Sequence, residues 1–226
     1  AKLGWRAPSI ACVNHVAAAW PDEVCVVVDA CQMRVGCERL RDYVARGYFV
    51  LLTGSKFFTG PAFSGALLIP QSKATHADAS HTSAFVLSSY STFHDWPSDW
   101  QNLRAALPQR CNHGEWLRWE AALHEMKAYF AVPPDFREEF FRGLAFQIPL
   151  IIADACGLEL VEAPWGSATS PSDGEMGHPT IFPFVPHLAE KALSSEQCAS
   201  LYRAMGQDLS SRLSPDAPAT DRRMAR

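Results

Sequence analysis

Two apolar runs, residues 24–28 and 48–52, constrain this chain more than any other feature. Each is short, rich in β-branched or aromatic residues and apolar at every position, the pattern of a strand covered on both faces in a parallel sheet. Between them, residues 37–46 put Leu40, Tyr43 and Val44 on one side of a helix, and Gly47 stands where a helix commonly ends in a left-handed residue. Strand, helix and strand within about thirty residues make a βαβ unit, whose crossover is expected to be right-handed. The first strand runs into Asp29 and the second into Thr53-Gly54-Ser55-Lys56. Open α/β sheets bind ligands just beyond the carboxyl ends of their strands, so Asp29 and Lys56 are the first candidates for chemistry.

The remaining elements follow from periodicity and punctuation. Residues 8–20 read as an amphipathic helix with Pro8 at its first position, and residues 65–69 as a third strand stopped by Pro70. Residues 71–113, rich in Ser, His and Pro, read as a connector with a short helix at 99–107. Asn112 and Glu115 form a capping pattern before a long helix whose Trp116, Trp119, Leu123, Met126 and Phe130 form a stripe expected to be core packing. Pro133-Pro134 ends it. Asp135 and Glu138 repeat the capping pattern, with a kink expected at Pro149 and a stop at Gly157. Strands are expected at 158–162 and 180–184, and a last helix from Ser194 and Gln197 to about Met205. The domain reading is 1–112, 113–213 as a smaller α+β domain, and a flexible tail at 214–226.

Composition narrows the function classes. Lys plus Arg number 20 against 24 Asp plus Glu, a net charge of −4, which offers no footprint for nucleic acid. The longest apolar runs fall far short of the roughly 20 residues of a membrane span. Seven cysteines without a CxxC pair suit reduced thiols in the cytoplasm rather than a secreted disulfide framework. Asn14 and His15 interrupt any signal-peptide core. The thiols read as buried or incidental, Cys156 included. His76, His81, His94, His113 and His124 have no ligand spacing, so no metal is expected. Arg118 is a candidate contact for a carboxylate or phosphate, although a solvated helix-face arginine is the commoner case.

A lysine held in an apolar, enclosed strand-end mouth has a lowered pKa and can form a Schiff base, and a neighbouring carboxylate can pair with a protonated ring nitrogen. Together Asp29 and Lys56 outline a pyridoxal phosphate site, although on spacing alone such residues are more often solvated caps.

The run VVVDACQ (26–32), then TGSKFFTGP (53–61) and SGALLIP (64–70), resembles the class V aminotransferase and cysteine desulfurase group of fold-type-I pyridoxal phosphate enzymes. The resemblance implies that Asp29 faces the pyridinium nitrogen, Gln32 hydrogen-bonds the ring oxygen, Lys56 carries the internal aldimine, and the Thr53 and Ser55 hydroxyls approach the phosphate. Ser55 stands where the group commonly has His, a departure from the desulfurase branch. Lys2-Leu3-Gly4 resembles the end of the loop preceding the first helix. The fold implied is part of a mostly parallel sheet with flanking helices, followed by the smaller α+β domain. About half of that catalytic fold, with its glycine-rich phosphate turn, would precede Ala1. The chain therefore reads as the C-terminal part of a longer enzyme, or as a reduced module. A small-molecule amino substrate and a homodimer are implied, with transamination ahead of lyase or desulfurase chemistry. A non-catalytic interaction module on the same scaffold is the competing class.

Overall fold

In the computed structural model, which describes residues 8–74, 85–161 and 178–208, helix α1 (Ile10–Ala19) is capped by the Ser9 hydroxyl, which accepts from Cys12 N at 3.2 Å. Ser9, not Pro8, sets its start. The two apolar runs then lie side by side as parallel strands: in β1 (Val27–Asp29), Val27, Val28 and Asp29 face Phe49, Val50 and Leu51 of β2 (Phe49–Thr53). Helix α2 (Cys37–Ala45) connects them, and Gly47 adopts φ +80°, the left-handed conformation its lack of a Cβ permits. Tyr48, buried at the start of β2, donates its hydroxyl to Asn14 Oδ1 at 3.0 Å and ties α1 to the sheet.

Strand β3 (Gly65–Leu68) pairs antiparallel with β2, Leu68 opposite Val50 and Gly65 opposite Thr53. The connection from Gly54 to Ser64 is too short for the dozen or so residues a parallel crossover needs, so the chain must reverse. Of the two pairings in this sheet, one is parallel. The expected cover on both faces is also incomplete. Val50 is fully buried, but Val27, Leu51 and Leu67, which share the opposite face by register, are 54%, 38% and 44% exposed.

Residues 71–113 hold more structure than a connector. Helix α3 (Gln71–Ala74), a 3-10 turn at Phe93–Asp95 and α4 (Gln101–Ala106) surround a small core in which Trp100, Leu103 and Leu107 are buried against Ile69, Leu87 and Trp96. The Trp96 and Trp100 rings stack with centroids 5.7 Å apart.

Helix α5 (His113–Ala131) is capped by Asn112, whose side chain accepts from Glu115 N at 3.2 Å. Its aromatic stripe is not the core packing expected from its spacing. Trp116, Leu123 and Phe130 are 59%, 40% and 44% exposed, while Ala122 is fully buried. The reason is a close approach. The β2–β3 loop presses on α5 at Ala122, where a Cβ on Gly54 would collide with the alanine methyl and one on Gly60 would lie 2.8 Å from it. Only small residues fit there, so the bulky ones flank the contact.

Helix α6 (Pro134–Asp154) starts at Pro134, whose fixed φ suits a first turn; Asp135 lies within that turn rather than capping it, and Pro149 lies inside the helix. Contacts divide the described chain into two compact units, residues 8–74, 85–145 and 178–180 in one and 146–161 with 181–208 in the other. This division falls within α6, whereas the sequence places a boundary between 112 and 113.

In the second unit, β4 (Leu158–Leu160), β5 (Phe184–Leu188) and β6 (Lys191–Ala192) form an antiparallel sheet. The strand expected at 180–184 is thus displaced to 184–188. Pro186 argues against a strand because it lacks an N–H, yet its carbonyl accepts from Leu193 N at 2.9 Å. Ala189 and Glu190, both at positive φ, make the two-residue turn from β5 to β6. The following α7 (Ser195–Met205) has a reciprocal capping box between Ser194 and Gln197. The tail expected at 214–226 lies outside the described residues.

The contact at Ala122 has a direct test. Gly54→Ala, whose new methyl would meet the Ala122 methyl first, should lower stability by about 1–3 kcal/mol through overpacking, and the double variant Gly54→Ala/Ala122→Gly should be more stable than the two single losses combined, as measured by urea unfolding.

Candidate functional site

β1 turns sharply after Asp29. The Asp29 carboxylate accepts from Cys31 N at 3.0 Å, Ala30 N donates to Leu51 O at 3.0 Å, and Met33 N donates to Ala30 O at 2.8 Å. Met33 closes the turn at φ 51°, a conformation that costs a side-chain-bearing residue about 1–3 kcal/mol. The neighbouring strand ends at buried Thr53. There Ser55 N donates to Thr53 Oγ1 at 3.2 Å and the two hydroxyl oxygens lie 2.8 Å apart, which commits Thr53 largely to shaping the turn.

The loop that follows closes through its own backbone. Gly54 N donates to Ser64 O and Gly60 N to Gly54 O, both at 2.9 Å, and Thr59 N to Lys56 O at 3.1 Å. Thr59 and Phe63 also lie at positive φ, 54° and 66°. Phe57 and Phe58, directly after Lys56, anchor it by packing edge-on to Tyr129, each pair with centroids 5.4 Å apart. Arg137 lies over the Tyr129 ring, 4.8 Å from its centroid. Lys56 itself is exposed, and so is Asp29. The apolar, enclosed mouth expected around the lysine is therefore not built by the described residues. Its neighbours Phe57 and Phe58 turn inward to the helices and leave the lysine facing solvent.

The two charged groups nonetheless sense each other. The Asp29 carboxyl is held below its ordinary range chiefly by the Cys31 amide, then by the Cys31 thiol; burial opposes them, and the Lys56 charge adds a lowering smaller than that cost of burial. Burial and the Asp29 carboxylate push the Cys31 thiol up, and Lys56 opposes them. Gln32 follows in the same turn, half-buried.

Arg34, which sequence reading did not single out, completes this cluster. Its Nη1 donates to Thr180 O at 2.6 Å and to Thr180 Oγ1 at 2.7 Å, and its guanidinium lies 5.6 Å from the Phe57 ring centroid. Its Nε is buried without a hydrogen-bond partner among the described residues, and burial lowers its pKa. The only sequence signal was its place two residues after Gln32, because its acceptor is 146 positions away.

Other candidates fall elsewhere. Arg118 folds back toward Gly114 on α5, with Nη1 3.1 Å from where a Cβ would stand. His94 and His113 line a groove beside β3 that neither Asp29 nor Lys56 lines; His124 is exposed; His76, His81 and Lys2-Leu3-Gly4 lie outside the described residues. Among the described residues no group of three or more His, Cys, Asp or Glu is arranged to hold a metal, and no helix is long and apolar enough to cross a membrane. Cys12, Cys25, Cys37, Cys111 and Cys156 are exposed free thiols, so of the expectation of buried or incidental thiols the burial does not hold for these five.

Comparison with protein-family models, with curated proteins and with solved structures finds no match to this chain.

Asp29 should leave a pH signature. Its carboxyl is depressed in the folded state, so its contribution is present above the ordinary carboxyl range near pH ~4 and disappears as the pH falls through the folded value. Urea unfolding of the parent and Asp29→Asn should show a gap at pH 7 that narrows as the pH falls below the ordinary carboxyl range. Solvent screening of this exposed group limits that gap to less than about 1 kcal/mol.

Proposed function

We propose that this chain supplies the lysine-bearing part of a pyridoxal phosphate site acting on an amino acid or related amine, with transamination as the first reaction and lyase chemistry the alternative. The observation that carries the reading is the placement of Asp29 and Lys56 at the carboxyl ends of adjacent parallel strands, near enough for the lysine's charge to lower the carboxyl pKa. The donor set fits the group: an anion for a ring nitrogen, a primary amine for its aldehyde carbon, and neighbouring hydroxyls for its phosphate.

When bound, pyridoxal phosphate supplies an electron-poor ring that accepts the electron pair released at a substrate carbon. In this reading Asp29, already anionic, holds the proton on the ring nitrogen. Lys56 Nζ would hold the cofactor's aldehyde carbon and would serve as the base for the proton on the substrate's α-carbon. Gln32 donates to the ring oxygen, and Ser55, less committed than Thr53, donates to the phosphate. The free thiols suit the reducing cytoplasm, and a second subunit would wall the site as a homodimer. The exposure of Lys56 favours a second reading, a non-catalytic interaction module on the same scaffold.

Borohydride trapping separates the two. After incubation with pyridoxal phosphate and reduction, peptide mass mapping should find the adduct saturably on Lys56. Lys56→Ala should lose the saturable fraction, and Asp29→Asn should weaken it. Labelling spread evenly over the surface lysines would favour the module.

A further inference from the structure

We propose that the groove between β3 and the first turn of α5 is a binding site for an organic cation carrying an alkylated ammonium group. The groove measures about 990 Å³ and lies wholly within the first unit. Its walls are aromatic. Phe63, Tyr90 and Trp116 are 82%, 85% and 59% exposed, an unusual concentration of uncovered rings around one concavity. Trp119 stands beside them, its indole N–H fixed to Gly65 O at 3.1 Å so that the ring is held in place as a wall.

Charge selects the ligand. Asp95 and Glu115 line the groove, and its described lining holds no Lys or Arg. Asp95 Oδ2 accepts from Thr92 N and from the Asn112 side chain, which holds the carboxylate in place with Oδ1 left over. The start of α5 opposes this field with about half a positive charge, but Asn112 already satisfies one of its amides and two carboxylates outweigh it. Aromatic faces attract cations through their quadrupole, and an alkylated ammonium, weakly hydrated, gains most from such faces. An anion would meet two like charges, and a neutral apolar ligand would leave the carboxylates unpaired.

Choline and its neutral isostere 3,3-dimethylbutan-1-ol make a clean pair of probes for tryptophan fluorescence. Choline should change the emission saturably and the alcohol should not. Trp116→Phe should remove most of the response. Glu115→Gln, which keeps the helix-start geometry, should weaken choline binding about two- to fivefold with an unchanged far-ultraviolet circular dichroism spectrum. No saturable response to choline, an equal response to the alcohol, or an unweakened Glu115→Gln would each overturn the proposal.

Discussion

The parallel pairing of β1 with β2 decides where every group of the Asp29 cluster stands. Three residue pairs set it, and the Ala30 amide prolongs it by donating to Leu51 O. A slip of one residue in β2 would turn Val50 from the buried face to the open one, and the same slip in β1 would send Asp29 to the other side of the sheet. The burial of Val50 is thus an apolar contribution with a positional consequence, because the register that hides it also sets the carboxylate beside the lysine-bearing turn.

What the strands begin, the β2–β3 loop completes from behind. Gly54 and Gly60 let it approach Ala122 on α5, and Phe57 and Phe58 hold it against Tyr129. Lys56 sits between these anchors, fixed in its backbone and free at its amine. That division suits a residue whose side chain must move while its root stays still. Strain at Met33, Thr59 and Phe63 is tolerable because the surrounding hydrogen bonds and close contacts over-determine the turns.

Much of this was legible in order of chain distance. The first two helices, the three strands up to Leu68 and the strand-end positions of Asp29 and Lys56 follow from apolar periodicity and from turn residues a few positions apart, whereas Gln32, Thr53 and Ser55 were singled out only through the family resemblance. Features set by distant packing were not. Trp116, Leu123 and Phe130 fall at helical spacing, which predicts a buried stripe, but spacing carries no information about Gly54 and Gly60 driving the contact to Ala122. Pro186 disguised β5, because a proline's carbonyl can serve a sheet that its missing N–H cannot. The open face at Val27, Leu51 and Leu67 was hidden for the opposite reason: an apolar run states what a strand prefers, not what is there to cover it.

The hydrogen bonds from Arg34 to Thr180 have a consequence for the order of assembly during synthesis. Chains emerge from their N-terminal end, and the sheet can close as soon as Leu68 is available. Arg34, however, must wait for an acceptor made 146 residues later. Until that carbonyl and hydroxyl arrive, its Nη1 lacks both of these acceptors. The strand-end cluster therefore reaches its final form in two stages, a local one once Leu68 has been made and a capping one once Thr180 has followed.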